Sequence, residues 1–182
     1  MSKGRIKTDN SFLSDKIKLR LNHLPRQDNI NVLDCFAGEG VIWDSIKKRT
    51  DKSITVVGIE QKNKKGVYLK GNNLKFIKNI NLNNFQIIDL DSYGVPYPQL
   101  KILFDRKFKG GVFVTFIQSL YGGLPKKMLY DLGYTEKMID AIPSLFNRKG
   151  IEKFMRFLYM NGVRKVCIRS CGGKHYLYFK IF

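Results

Sequence analysis

A short apolar run, a glycine-rich turn and an apolar helical pattern follow one another at residues 31–44, and this order constrains the fold more than any other segment. The apolar run ends at Asp34, the sequence Gly38-Glu39-Gly40 predicts a tight turn, and Val41 begins the helical pattern. Two glycines let the backbone approach a ligand where any side chain would clash. The segment therefore predicts the strand, turn and helix that open a nucleotide-type cofactor site.

Two common fingerprints of nucleotide sites do not match this turn. The dinucleotide fingerprint requires a third small residue, which Trp43 replaces, and no phosphate-loop string occurs in the chain. A second predicted strand, residues 53–60, ends in Glu60 about 20 residues beyond the turn, where an acid can accept both hydroxyls of an adenosine ribose. The alternative is an α/β protein with an ordinary glycine turn and a surface glutamate.

Apolar runs of strand length alternate with helical patterns along the chain, which predicts an α/β fold built on a mostly parallel sheet. A basic helical segment at residues 1–26 precedes the first strand, and the last two strands read as an antiparallel hairpin. The predicted strands are residues 31–36, 54–59, 66–70, 84–90, 111–117, 163–169 and 175–182, and the main helices that follow the first strand are residues 40–49, 72–80, 99–107 and 151–161.

The stretch between Glu60 and Asp89 is too short for the usual alternation. It holds 28 residues, positions 61–88, which do not suffice for two full helices and two strands. We therefore expect one helix to be missing after the second strand. The alternative is one long helix over residues 64–80, which Gly66 and Gly71 both disfavour.

A second informative motif, Asp89-Leu-Asp-Ser-Tyr-Gly-Val-Pro96, follows the fourth predicted strand. Asp89 and Asp91 point to the same side if the strand continues, and Tyr93 and Pro96 belong to a rigid turn. A carboxylate there can accept hydrogen bonds from an exocyclic base amine and take its proton, while the aromatic ring stacks on the base. The alternative is a strand-end turn with a capping aspartate.

Both motifs resemble those of known methyltransferases. The pattern Asp-x-Phe-x-Gly-x-Gly, residues 34–40, resembles motif I of the class I S-adenosylmethionine-dependent methyltransferases. Residues 89–96 resemble motif IV of the tRNA guanine-26 N2-dimethyltransferase family, Asp-x-Asp-Pro-[Tyr/Phe]-Gly-x-Pro, with Ser92 in place of the proline. The resemblance covers roughly residues 31–119 and does not include that family's large C-terminal domain, so guanine 26 is not carried over as the target.

The resemblance implies one Rossmann-like methyltransferase domain over residues 1–182, with a seven-stranded sheet that ends in the antiparallel hairpin. It implies S-adenosylmethionine as cofactor and an exocyclic base amine, in RNA rather than DNA, as acceptor. We expect three groups of site residues: catalytic Asp91, Asp89 and Tyr93; cofactor-binding Asp34, Phe36, Gly38, Glu39, Gly40, Glu60, Gln61, Asn72 and Asp89; and substrate-binding Tyr93, Pro96, Lys3, Arg5 and Lys7. For Asn72, a plain helix cap is the alternative.

The charge of the chain supports a polyanionic partner. Its 33 Lys and Arg residues against 15 Asp and Glu give a formal net charge of +18, spread over the whole length. Such a surface raises the local concentration of nucleic acid. The alternative is compositional drift, because Lys, Asn and Ile are abundant together. Other functions left open are a catalytically silent nucleic-acid-binding subunit and a DNA adenine amino methyltransferase, and a partner subunit is one source of target recognition.

The cysteines and the absence of apolar spans predict the cellular environment. Cys35, Cys167 and Cys171 are an odd, sparse set without metal-site spacing, and we expect Cys35 and Cys167 to be core thiols. No segment approaches the length of a membrane span, and the basic N-terminal residues lack the apolar core of a signal peptide. We therefore expect a reduced, cytoplasmic protein that binds no metal.

Overall fold

Within residues 12–62, 68–118 and 123–182, which the computed structural model describes, seven strands form one sheet. Its order is β3-β2-β1-β4-β5-β7-β6. The pairs from β3 to β5 are parallel, and β7 is antiparallel to both neighbours. The strands are β1 Asn29–Asp34, β2 Ser53–Glu60, β3 Leu69–Lys70, β4 Ile87–Leu90, β5 Gly110–Ile117, β6 Val166–Cys171 and β7 Lys174–Ile181.

Helices cover both faces of the sheet. Their bounds among the described residues are α1 Leu13–Leu21, α2 Val41–Lys47, α3 Asn73–Asn79, α4 Tyr97–Asp105, α5 Lys126–Asp131, α6 Glu136–Ala141, α7 Pro143–Asn147 and α8 Gly150–Met160. One core cluster contains apolar side chains of α1 and α2, and the other contains those of α3, α4 and α8. Neighbouring residues of β4 divide between the clusters, Ile87 in one and Ile88 in the other, which explains its unbroken apolar sequence.

The predicted fold class and hairpin are confirmed, with shifts at several boundaries. β1 begins two residues earlier than predicted, at Asn29, and ends at Asp34. β4 begins only at Ile87, because a short 3₁₀ helix, Leu82–Asn84, with Asn81 as its cap precedes it. Eight residues separate β2 from β3, and those among them that are described, 61, 62 and 68, are not helical. The predicted loss of the helix after the second strand concerns mainly residues 63–67, which lie outside the described residues, and it stays a prediction.

Helix α1 lies on the sheet face that also carries α2. Ile17 and Leu19 are buried in the core cluster that includes Trp43 of α2. Arg169 on β6 donates a hydrogen bond to Asp15 at 2.9 Å, which ties the start of the helix to the hairpin. These contacts bring the charged residues of α1 over the middle strands.

The two cysteine expectations have different outcomes. Cys35 is buried as predicted, whereas Cys167 is exposed, so that expectation is wrong. The reason is that β6 is an edge strand, and four of its six residues are exposed. Separately, across the described ranges of the chain no helix is long and apolar enough to cross a membrane.

Candidate functional site

The predicted site residues lie at the carboxyl ends of the middle strands. β1 pairs with β2 on one side and with β4 on the other, and Asp34 is level with Asp89 in the parallel register. The chain progresses outwards from β1 in opposite directions, through β2 to β3 and through β4 to β5. This is the topological switch point, where open α/β sheets bind ligands.

The glycine turn has the backbone conformation that the sequence predicts. Gly38 and Gly40 have φ angles of 49° and 78°, in the left-handed region that favours glycine. A Cβ atom added to Gly38 would find only the Phe36 carbonyl oxygen, at 3.9 Å, among the described atoms within 4 Å. The backbone angle therefore requires glycine, and the space in front of Gly38 is open.

Glu60 at the end of β2 is joined directly to this turn. The backbone N–H of Gly38 donates to Glu60 Oε2 at 3.1 Å, and the N–H groups of Gln61 and Lys62 donate to Oε1 at 2.8 and 3.1 Å. A carboxylate offers about four acceptor positions, so with respect to the described residues Oε2 accepts one hydrogen bond and has a second position for a ligand. The structure thus brings the turn and the predicted ribose-binding acid together.

Asp34 is buried at the end of β1, and its Oδ1 accepts the N–H of Phe36 at 3.1 Å. Burial raises the pKa of Asp34 well above its ordinary value, and the neighbouring Asp89 carboxylate adds to this effect. Phe36 is half-buried, and Glu39 is exposed at the tip of the turn. Burial and the neighbouring carboxylate therefore both favour the protonated form of Asp34.

Asn72 acts as a helix cap in this structure. Its side-chain oxygen accepts the N–H of Leu74 at 2.8 Å at the start of α3, which is the alternative that the sequence left open. The next residue, Asn73, was not predicted: it is buried, donates to the Cys35 carbonyl at 2.9 Å and accepts from Gln99 at 3.1 Å. Asn73 therefore links the end of β1 to α4.

Asp89 is enclosed by side chains that the sequence analysis did not assign. Arg20 of α1 donates from Nε and Nη2 to its two oxygens, both at 2.7 Å, and Trp43 Nε1 donates to Oδ2 at 2.9 Å. Arg20 and Asp89 are each only 1% exposed. A buried bidentate pair of this kind holds its geometry tightly, and in this conformation Asp89 contacts protein groups instead of a ligand.

Asp91, two residues after Asp89, also contacts a side chain of α1. Lys16 Nζ donates to its Oδ2 at 2.8 Å, and the Thr115 hydroxyl on β5 donates to Oδ1. Burial alone would raise the pKa of Asp91, but the Arg20 and Lys16 cations outweigh burial and lower the pKa below its ordinary value. Asp91 is therefore held as a carboxylate.

The turn after Asp91 presents an aromatic ring to solvent. Tyr93 is 66% exposed, whereas Ser92 is buried with its hydroxyl donating to the Thr115 carbonyl at 3.3 Å. The Ile117 N–H donates to the Gly94 carbonyl at 3.0 Å, and buried Pro96 precedes α4. The backbone of the turn is thus anchored to β5 while the Tyr93 ring faces outwards.

Lys16 and Arg20 of α1 are the main residues at the candidate site that sequence reasoning missed. The sequence did contain a sign of Arg20. It lies three residues after Ile17, so it falls on the same apolar face of the predicted helical segment as Ile17, Leu21 and Leu24. A cation on a buried face requires a buried carboxylate. The predicted substrate-binding residues Lys3, Arg5 and Lys7 lie outside the described residues.

Comparison with known proteins establishes the fold and no closer relationship. No protein-family model and no curated protein sequence matches the chain. A conserved hypothetical protein from Streptococcus pyogenes has a TM-score of 0.55 at 13% identity, covering 92% of this chain and 95% of that chain. S-adenosylmethionine-dependent methyltransferases from Aquifex aeolicus and Archaeoglobus fulgidus have TM-scores of 0.54 and 0.52 at 14% and 13% identity, covering 97% and 94% of this chain and 100% of theirs. This chain therefore has the fold of methyltransferase structures.

Proposed function

We propose that this chain is an S-adenosylmethionine-dependent methyltransferase that acts on an exocyclic base amine of nucleic acid, RNA rather than DNA. One observation carries the proposal. An ionised carboxylate, Asp91, follows the strand that neighbours the glycine turn, and an exposed aromatic ring, Tyr93, lies two residues further on. In a Rossmann-like sheet this arrangement puts an amine-binding group next to a nucleotide-type pocket.

The residues at the ends of β1 and β2 fit the proposed cofactor. The second acceptor position on Glu60 Oε2, which no described residue fills, suits a ribose hydroxyl, and the space before Gly38, open with respect to the described atoms, admits a ligand close to the backbone. S-adenosylmethionine supplies an electrophilic methyl group on a sulfonium. Asp34 and Phe36 flank the turn, and Gln61 follows Glu60 on the exposed side.

Asp91 orients the acceptor in this proposal. An exocyclic amine conjugated with a base ring is a weak nucleophile, and hydrogen bonds to a carboxylate localise its lone pair on nitrogen. Attack forms a strongly acidic nitrogen cation, so a carboxylate of lowered pKa still takes the released proton and passes it to water. Thr115 fixes the carboxylate, and the Tyr93 ring stacks on the base.

Asp89 has a different role in this proposal. Because Arg20 and Trp43 occupy three of its roughly four acceptor positions and Asp89 is only 1% exposed, we assign it to positioning: it fixes the end of β4 and orients α1 and α2 against the site. The nucleic-acid substrate is supported by the net charge of +18, which favours a polyanion over a small neutral molecule.

The decisive experiment is incubation of the protein with methyl-labelled cofactor and separate pools of tRNA, rRNA and DNA, followed by mass spectrometry of the nucleosides. We expect label in an RNA nucleoside bearing an N-methylated exocyclic amine. The Asp91→Ala variant serves as the negative control, and Asp105→Ala, an exposed aspartate of α4, serves as the matched positive control. Label in DNA, on a ring carbon, or on no nucleoside contradicts the proposal.

A second function is favoured by one observation. Asp89 and Asp91 are both paired with cations of α1, as expected of a catalytically silent methyltransferase-like subunit that only binds nucleic acid. Calorimetry separates the two functions, because the silent subunit has no need of the cofactor. Absence of heat with millimolar S-adenosylmethionine, together with retained RNA binding, favours the silent subunit.

A further inference from the structure

The Lys16 ammonium occupies the position on Asp91 that an acceptor amine needs. Its Nζ lies 2.8 Å from Asp91 Oδ2, and the two side chains are only 14% and 13% exposed. The ammonium also lies 5.5 Å from the centre of the Tyr176 ring, and Thr115 occupies the other carboxylate oxygen. The Asp91 carboxylate, the Thr115 hydroxyl and the Tyr176 ring together form a cation-binding site, and Lys16 occupies it.

A neutral amine does not displace this ammonium unaided. Both would donate to the same carboxylate, but only the ammonium adds the attraction of a full positive charge, which is stronger in a poorly hydrated site than in water. An exocyclic base amine is neutral and donates weakly, so it loses the competition for Asp91 while Lys16 is in place. The acceptor site is therefore closed to such an amine in the conformation described.

The movable part of this contact is the Lys16 side chain. One turn further along α1, Arg20 is held by Asp89 and also donates from Nη1 to the Lys16 carbonyl at 3.0 Å. Ile17 and Leu19 are buried in the core. The helix is thus anchored, whereas the flexible four-carbon stem of Lys16 can swing away by side-chain rotation alone.

We propose that Lys16 is a specificity-determining residue that opens the acceptor site only to substrates carrying phosphate. A nucleic-acid phosphate next to the site gives the ammonium a new anionic partner, Lys16 leaves Asp91, and the base amine takes its place. Free nucleosides lack that phosphate and leave the site closed. This inference rests on the proposed function, since it requires Asp91 to bind the acceptor amine.

The test uses two cofactor analogues and no unknown substrate. S-adenosylhomocysteine lacks the transferred methyl group, and sinefungin carries an amine in its place, directed towards the acceptor side. The ratio of their Kd values, measured by calorimetry, reports whether Asp91 is available to an amine. For the Lys16→Met variant we expect this ratio to favour sinefungin by about tenfold more than in the wild type, the value of one hydrogen bond to a charged group.

Two further variants separate this effect from general changes of charge. Lys18→Met removes an exposed lysine of the same helix and should leave the ratio unchanged. Lys16→Arg keeps a cation on Asp91 and should keep the wild-type ratio. Urea unfolding checks that each variant is folded, and Lys16→Gln replaces Lys16→Met if the latter does not fold. An unchanged ratio in a folded Lys16→Met or Lys16→Gln variant overturns the inference.

The role of phosphate is tested by repeating the titrations with a saturating 20-nucleotide oligouridylate, an RNA whose bases carry no exocyclic amine that could occupy Asp91. We expect RNA to shift the wild-type ratio towards that of Lys16→Met and to leave the ratio of Lys16→Met unchanged. No shift in the wild type, or an equal shift in both proteins, overturns the inference while leaving the proposed function standing. If S-adenosylhomocysteine does not bind the wild type at all, the proposed function fails and this inference fails with it.

Discussion

The two halves of the proposed site are held by different kinds of contact. In the cofactor half, formed by Asp34, the glycine turn and Glu60, the carboxylates accept backbone N–H groups that lie within 22 positions along the chain. In the acceptor half, formed by Asp89 and Asp91, the side chains that bind the carboxylates come from α1, 69 and 75 positions away, and from Trp43 and Thr115. The first half is a product of local backbone geometry, and the second depends on tertiary packing.

This difference predicts opposite responses to mutation. Backbone donors are retained in every substitution except one to proline, so changes in the cofactor half should alter ligand binding more than folding. The acceptor half contains buried ionised side chains, and removing one partner leaves the other charged and without compensation. Changes there should alter stability, catalysis or both.

The largest effect on stability is expected from Arg20→Met. This substitution leaves the 1% exposed Asp89 without its bidentate partner. We expect a loss of about 3 to 5 kcal/mol of unfolding free energy, measured by urea denaturation. The double variant Arg20→Met with Asp89→Asn removes both charges and should recover part of this loss. A loss below about 1 kcal/mol for the single variant, the size expected of a surface pair, would show that the pair is not buried in solution.

Asp91→Ala should have the largest effect on catalysis. Loss of a group that orients the acceptor and takes its proton should lower the rate of methyl transfer by about 10² to 10⁴-fold. The Kd for S-adenosylmethionine should change little, because Asp91 belongs to the acceptor half. Single-turnover kinetics and calorimetry measure the two quantities separately. Equal losses in the rate of methyl transfer and in cofactor affinity would contradict the assignment of Asp91 to the acceptor half alone.

Glu60→Gln should weaken cofactor binding and change the rate of methyl transfer little, and its effect should be smaller than that of Asp91→Ala. The amide has a single acceptor oxygen, so it can accept from Gly38 or from Gln61 and Lys62 but not from both sides, and it loses the charge that strengthens hydrogen bonds from ribose hydroxyls. We expect cofactor Kd to rise by about tenfold. The unfolding free energy should fall by no more than about 1.5 kcal/mol, the net value of a typical hydrogen bond, because Gln61 and Lys62 are exposed and water can replace the lost acceptor. Glu152→Gln, an exposed glutamate of α8, is the matched control. An unchanged cofactor Kd in Glu60→Gln would show that Glu60 does not bind the cofactor.

The smallest expected effect concerns the pH dependence of stability. Burial raises the pKa of Asp34, so between its unfolded value near 4 and its higher folded value the folded state binds more protons there than the unfolded chain. The contribution of Asp34 to stability therefore falls as pH rises through this interval. Asp34→Asn cannot ionise and should flatten the decline in urea-unfolding free energy above roughly pH 4. A curve of unchanged slope would mean that the Asp34 pKa is ordinary.

The same division explains what the sequence could predict. The turn at Gly38 and Gly40, the acid at Glu60 and the terminal hairpin depend on short-range pattern, and the fold class followed from them. The bonds from Lys16 and Arg20 depend on how α1 packs across β4, which no local spacing encodes. The exposure of Cys167 was mispredicted for a related reason: an apolar pattern indicates a strand, but not whether that strand ends at a sheet edge.

The distance in sequence between Arg20 and Asp89 has a consequence for protein synthesis. The helix that carries the cation leaves the ribosome 69 residues before its carboxylate partner. At ordinary translation speeds this interval lasts roughly 3 to 14 seconds. Throughout it, Arg20 has no Asp89 against which to bury, so the nascent helix cannot take its final place. The acceptor site therefore forms only after β4 has been synthesised and α1 has packed against it.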